Sequence, residues 1–367
     1  MIKMAELLAR GQSIWIDYIE REFITGGRLA GLIGAGVRGL TSNPAIFQKA
    51  ISAGKAYDAE IAALSARGLT GAPLYEALAI ADIRAAADAF RPLYESSAGM
   101  DGYVSLEVSP ALAHEAEKTI LEAKRLAAAV ERPNLMIKIP ATPAGIIAIP
   151  EVVAAGISVN ATLIFNTRHY RQVAEAWFTG LEMLLAQGRS LPGLSSVASF
   201  FVSRLDTKLD PLLAARGFAQ WQGKMAVANA AATYDLFLEL HRSPRWQRLA
   251  EKGARMQRLL WASTGTKNPR YSETLYVDDL IGTGTVNTIP PATLQAWLDH
   301  GRTAAALPVN PALSSAALSA LAEIGIDLDG ATEELQQDGV AAFAGSFAAM
   351  LTSVADKEKS LRPAHSS

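Results

Sequence analysis

The 367-residue chain is half apolar, only 19% charged and carries a formal net charge of -2, so its charge makes no case for nucleic acid or an anionic membrane as partner. It has no cysteine, which removes disulfides, thiolate metal sites and cysteine nucleophiles from consideration. The first residues carry Lys3, Glu6 and Arg10 without a signal-peptide pattern, and Pro150, Glu151 and Asn160 interrupt the most apolar stretch, so a soluble, cytoplasmic protein with no membrane partner is expected.

Strand-like apolar runs alternate with amphipathic patterns rich in alanine and leucine. The first run, 14–18, contains Asp17. The second, 39–42, leads through Thr41 and Ser42 into Asn43-Pro44. Gly31, Gly34, Gly36 and Gly39 precede that strand, the wrong order for a phosphate or dinucleotide cradle, and read as a turn. The third run, 103–108, holds Glu107, and the helix after it is predicted to start with Ser109 as N-cap and Pro110 at its first position. The fourth, 135–140, holds Lys138, with Thr142 beyond it. Asn160 and Thr162 interrupt the fifth, 158–165, and a helix over 167–187 follows, closed by Gly188. Ser199 interrupts the sixth, 196–202, with Arg204 just past it. The seventh, 258–263, ends on Ser263, with Lys267 beyond; the eighth, 285–289, contains Asn287 and Thr288. Helices are predicted after it at about 291–299, 311–324 and 331–355.

Eight strand-then-helix units predict an α/β fold of the (β/α)8 TIM barrel type with additional C-terminal helices; a doubly wound open sheet is the competing architecture. One domain over 1–367 is expected, with the barrel at about 13–300, a helical extension at about 301–357 and a frayed polar tail at 358–367. In such a barrel, chemistry gathers where strand C-termini open into loops.

Lys138 is the residue that most needs an account, because it sits inside Leu135-Met136-Ile137-Lys138-Ile139-Pro140. A lysine held dry loses hydration, its pKa falls, and the neutral amine can form a Schiff base with a ketone. An edge-strand lysine with a snorkelling head is the plainer alternative. Taken singly the neighbours have plain accounts too: Asp17 as a helix cap, Asn43 as the start of a turn, Glu107 as a counter-ion. Together, an acid, an amide, an acid and an amine in successive apolar strands carry a desolvation cost that natural chains keep mainly at functional sites. His114, His169, His241, His300 and His365 are scattered without metal-ligand spacing and read as surface helix positions, which disfavours a zinc-dependent aldol reaction.

The stretches Leu40-Thr41-Ser42-Asn43-Pro44-Ala45-Ile46-Phe47 and Asn134-Leu135-Met136-Ile137-Lys138-Ile139-Pro140-Ala141-Thr142 resemble the two signatures of the transaldolase family. Val104 to Val108, Val159 to Phe165 and Trp261-Ala262-Ser263-Thr264 match it too, and the likeness runs from about Ser13 to the C-terminus. It is nearer to the longer transaldolases, including those fused to phosphoglucose isomerase, although this chain is too short to carry that second enzyme. The resemblance implies a class I aldolase barrel that moves a dihydroxyacetone unit from sedoheptulose 7-phosphate to glyceraldehyde 3-phosphate. The products would be erythrose 4-phosphate and fructose 6-phosphate, in the pentose phosphate pathway, with no metal or organic cofactor. Lys138 would then be the Schiff-base lysine, Glu107 and Thr162 the pair acting through a water, and Asp17 the base for carbon–carbon cleavage. Thr41 belongs to the same site. Asn43, Asn160 and Ser199 would hold hydroxyls of the three-carbon unit, and Arg204 and Ser263 the phosphate.

Two departures matter. Many relatives carry an arginine two residues after the serine matched by Ser263, where this chain has Gly265, and Lys267 is the charge nearby. Phe201 stands where fructose-6-phosphate aldolases have tyrosine, which favours transfer over simple cleavage. A fructose-6-phosphate aldolase-like lyase, a pyridoxal-phosphate enzyme and a non-catalytic sugar-phosphate-binding barrel are the alternatives; monomer and homodimer both stay open.

Overall fold

A computed structural model describes residues 2–309 and 311–361. All eight predicted strands form, with ends shifted by at most two residues: β1 (Gln12–Asp17), β2 (Gly39–Thr41), β3 (Tyr103–Glu107), β4 (Leu135–Pro140), β5 (Val159–Ile164), β6 (Ser196–Phe201), β7 (Arg258–Ala262) and β8 (Thr285–Ile289). They pair in chain order, every pair parallel, and β8 returns to β1 from Gln12↔Thr285 to Ile16↔Ile289, closing a (β/α)8 barrel. The strands are covered on both faces, which is why they read as nearly unbroken apolar runs.

Alternation along each strand sorts the interior into layers. Ser13, Trp15 and Asp17 of β1 share one face, from the floor of the barrel to its mouth. Trp15 fills the middle: a Cβ at Gly39 of β2 would lie 2.5 Å from its ring. That contact, rather than a turn, is what the glycine at position 39 is for. Below Trp15, Asp101 accepts hydrogen bonds from Ser13, Arg38 and Arg258. Above it, the register sets Glu107 beside Lys138, Lys138 beside Asn160, and Asp17 beside Thr41.

Several helical expectations need correction. Ser109 and Pro110 stand at the N-cap and first positions, as expected, but of a single 3-10 turn, Pro110–Leu112, to which the Ser109 side chain gives no cap bond; the helix starts only at Ala116, running to Val130. The chain spends those residues passing over the barrel rim before it can turn back along the outside. The helix Thr167–Ala186 forms as expected, with the Asn166 side chain accepting from the His169 amide. Between β2 and β3 the alanine-rich stretch folds into three helices, Pro44–Ala53, Asp58–Ala66 and Gly71–Ser96. His169 and His241 are not surface residues. His169 is 2% exposed and bonded to Glu333, and the His241 ring packs against Phe178, Phe237 and Trp246. His114 and His300 are exposed, and His365 lies outside the described residues.

The last helix, Leu328–Leu361, is longer than expected and includes residues 358–361, which were placed in the frayed tail; residues 362–367 lie outside the described residues. Its end is tied down: Lys357 Nζ donates to Ile51 O at 2.8 Å, and Met350 and Val354 join a second apolar cluster with Ile51, Tyr57, Ile61, Leu74 and Leu78. By length and composition alone this helix could cross a membrane. Here its apolar side lies on the barrel mouth and on the helices after β2, burying Ala331, Leu335, Phe343, Met350 and Val354.

Candidate active site

Lys138 is 5% exposed, at the fourth position of β4. Its Nζ donates to the Ser42 carbonyl at 3.3 Å and faces Glu107 Oε2 at 3.4 Å. The snorkelling alternative fails, because the amine points into the barrel. Strand pairing explains the contact: Glu107↔Lys138 puts neighbouring side chains on one face. Asp17, at the end of β1, accepts from Thr41 Oγ1 at 2.7 Å, and Thr41 Oγ1 lies 2.6 Å from Thr288 Oγ1. Asp17 is therefore not a helix cap.

Burial pushes the Asp17 carboxyl above its ordinary value, against the pull of Lys138, the Thr41 hydroxyl and Lys267. Burial likewise raises the Glu107 carboxyl against the pull of Lys138, and the nearby Asp17 charge adds to the rise. Two carboxyls whose acid forms persist above the usual range, beside one amine, suit proton transfer in both directions.

Thr162 Oγ1 on β5 is buried with no hydrogen-bond partner among the described residues. Such an atom costs free energy unless something polar reaches it. One layer down, Asn160 is fully buried and spends its amide at both ends, donating to Ser105 Oγ at 3.0 Å and accepting from Ser199 Oγ at 2.6 Å. It backs the cavity rather than lining it. Asn43 does both jobs: its side chain accepts from the Ile46 amide as N-cap of Pro44–Ala53, and it lines the cavity.

A cavity of about 140 Å³ joins Asp17, Thr41, Asn43, Lys138, Thr162 and Ser199 to the opposite rim, formed by Phe201, Arg204, Ser263 and Lys267. Glu107 stands on its border and opens into a neighbouring, mainly apolar cavity. On the far rim, burial pulls the Arg204 guanidinium below its ordinary value, with Asp338 opposing. A desolvated guanidinium is a strong attractor for phosphate. Ser263 has φ 56 and its Oγ lies 3.0 Å from Ser203 Oγ. At Gly265 a Cβ would stand 3.2 Å from Thr293 Oγ1, so that turn has little room for a side chain; Lys267, two residues on, is exposed.

Residues of the last helix also reach the site, and the sequence reading did not single them out. Gln336 Nε2 donates to Ala141 O at 3.0 Å and Leu163 O at 2.9 Å, clamping the ends of β4 and β5. Leu163 needs the clamp: it has φ 59, at a register shift in β5, a backbone state that costs roughly 1–3 kcal/mol. Phe343 lies over Lys138, its ring centre 5.4 Å from Nζ. Two adjacent glutamines, Gln336 and Gln337, and a pair of phenylalanines four apart in an alanine-rich helix are the visible signal, but nothing in them says which strand ends they meet. No group of three or more His, Asp or Glu side chains among the described residues is arranged to hold a metal.

The model of the transaldolase/fructose-6-phosphate aldolase family matches residues 14–354. Transaldolase 1 of Streptomyces avermitilis is 47% identical over 357 residues, 96% of this chain and 94% of that protein. The transaldolase of Acidothermus cellulolyticus is 48% identical over 355 residues, 96% and 95% of the two chains. Transaldolase 2 of Nostoc punctiforme is 43% identical over 375 residues, 98% of each.

Proposed function

Because the chain belongs to the transaldolase/fructose-6-phosphate aldolase family, we propose that its barrel mouth transfers a dihydroxyacetone unit between sugar phosphates, from sedoheptulose 7-phosphate to glyceraldehyde 3-phosphate. The observation that carries this reading is the Lys138 amine, buried among Glu107, Asp17 and the Ser42 carbonyl. The neutral amine attacks the donor ketone. Glu107, as the acid, protonates the leaving hydroxyl through a water that the unpartnered Thr162 hydroxyl holds, and the carbinolamine becomes an iminium. The iminium withdraws electrons from the bond between C3 and C4. Asp17 takes the proton of the C4 hydroxyl, the bond breaks, and the aldose leaves an enamine on Lys138. The acceptor aldehyde then enters and the steps reverse.

Ser199, held in place by the Asn160 amide behind it, and Asn43 fix the hydroxyls of the three-carbon unit and so reduce the entropic part of the barrier. Arg204, Ser263 and Lys267 take the phosphate. The electron sink is the iminium itself, so the scheme calls on no metal or organic cofactor. Phe201 lines the cavity without a hydroxyl to hand a proton to the enamine, which supports transfer rather than cleavage alone. We read residues 13–300 as the barrel and the later helices as part of the same cytoplasmic, single-domain enzyme.

Borohydride reduction in the presence of fructose 6-phosphate, followed by peptide mass spectrometry, tests the scheme. A stable adduct on Lys138 is expected. An adduct on another lysine, or none on active protein, would overturn the assignment.

A further inference from the structure

Phe343 is 8% exposed and lines the same cavity as Asp17, Lys138, Thr162 and Arg204, yet it comes from the last helix and not from the barrel. Its position is held from both sides. Two turns before it, Gln336 is bonded to the Ala141 and Leu163 carbonyls. Between them Gly339 lets the helix sit close, since a Cβ there would be 2.8 Å from Leu163 Cδ2. One turn after it, Phe347 packs edge-on against Tyr75 at 5.7 Å and walls off the second cavity beside Glu107. The ring is thus fixed above Nζ, where an iminium would stand, and a ring face attracts a cation while excluding water.

Resting on the reading of Lys138 as the Schiff-base residue, we propose that Phe343 is a specificity-determining residue that keeps water from the enamine, so that it waits for an aldehyde. Premature release has a definite course. The π pair of the enamine takes a proton at C3 and becomes a C–H bond. The iminium so formed adds one water, replacing the one lost when the Schiff base formed. Dihydroxyacetone then leaves, and the Nζ amine is restored. The proton comes from solvent, to which Asp17 gives back the one it took from the C4 hydroxyl, the added water comes from solvent too, and a ring over Nζ obstructs the access of each.

The test gives the full-length enzyme fructose 6-phosphate alone and measures dihydroxyacetone release, then adds erythrose 4-phosphate and measures transfer. Phe343→Ala should raise acceptor-independent release roughly tenfold relative to transfer, the scale of one displaced ring contact. Phe343→Leu keeps the apolar bulk and should stay near the parent ratio. Phe347→Ala removes an anchor of the helix but leaves the ring over Nζ, and should raise the ratio by less than Phe343→Ala does. Should Phe343→Ala not fold, Phe343→Val carries the comparison. An unchanged ratio in the truncated variant, or an equal rise in all three, overturns the proposal. Borohydride trapping run alongside separates the two failures: no adduct on Lys138 in the parent defeats the underlying assignment, whereas a normal adduct with an unchanged ratio defeats only the role of Phe343.

Discussion

At the floor of the barrel, one carboxylate, Asp101, accepts from Ser13, Arg38 and Arg258; at the mouth, one amine, Lys138, faces two carboxyls. Both groups are buried in the same barrel, with Trp15 between them. At the floor, cations outnumber the acid and the contacts are direct, including Arg258 to Asp101 at 3.0 Å and to Ser13 at 3.0 Å. At the mouth, two acids face the one buried amine, both acids are raised, and the Thr162 hydroxyl lacks a partner among the described residues. A saturated cluster holds strands together; an unsaturated one is ready to bind and to move protons. This is the division of labour between the two faces of such barrels, here read from individual atoms.

Substitutions can break or sharpen that contrast. The largest effect is expected from Lys138→Ala, which should cost on the order of 10⁴-fold or more in kcat/KM for transfer and abolish the borohydride adduct. Retained activity would place the chemistry elsewhere. Asp101→Ala, at the other end, should cost about 3–5 kcal/mol in denaturant unfolding because it strands Arg38 and Arg258, while kcat of the folded fraction stays unchanged. A loss of rate at full folding would erase the distinction between the ends. Gln336→Leu tests the clamp: it should destabilise by about 1–3 kcal/mol by orphaning two strand-end carbonyls, and lower kcat as the Thr162 segment loosens.

Smaller effects belong to Lys267. Its replacement by alanine should raise KM for a phosphorylated donor by about tenfold with kcat little altered, as expected for one exposed charge on a phosphate. The same change should shift the acid limb of the kcat profile. Asp17 must be ionised to act as base, so rate falls as pH drops through its raised pKa. Lys267 is among the groups that pull that pKa down, so losing it moves the limb to higher pH. A profile that moved the other way would show that a different group limits the rate in acid.

The mouth was largely legible in the sequence, because each polar residue there breaks an apolar strand and strand order brings such breaks into one ring. Lys138 beside Glu107 follows directly from adjacent parallel strands. The floor was not legible: Arg38, Asp101 and Arg258 lie at strand entrances and in loops, where charge is ordinary, and their meeting depends on barrel closure. Ser109 and Pro110 marked a real start, but a local start signal does not give length: the turn they open ends at Leu112, and the helix begins at Ala116. The contributions of Gln336 and Phe343 were hidden for a third reason. An amphipathic helix announces that one face is covered, but not what covers it.

Chain order adds a consequence to the docking of that last helix. The ring of strands is complete once Ile289 has emerged from the ribosome, whereas the cover over Lys138 lies in the final stretch, some 70 residues away at its far end. At roughly 5–20 residues per second, the nascent barrel spends several seconds with the Lys138 amine uncovered. A polypeptide halted in that interval would present a whole barrel and an open amine with no roof over it.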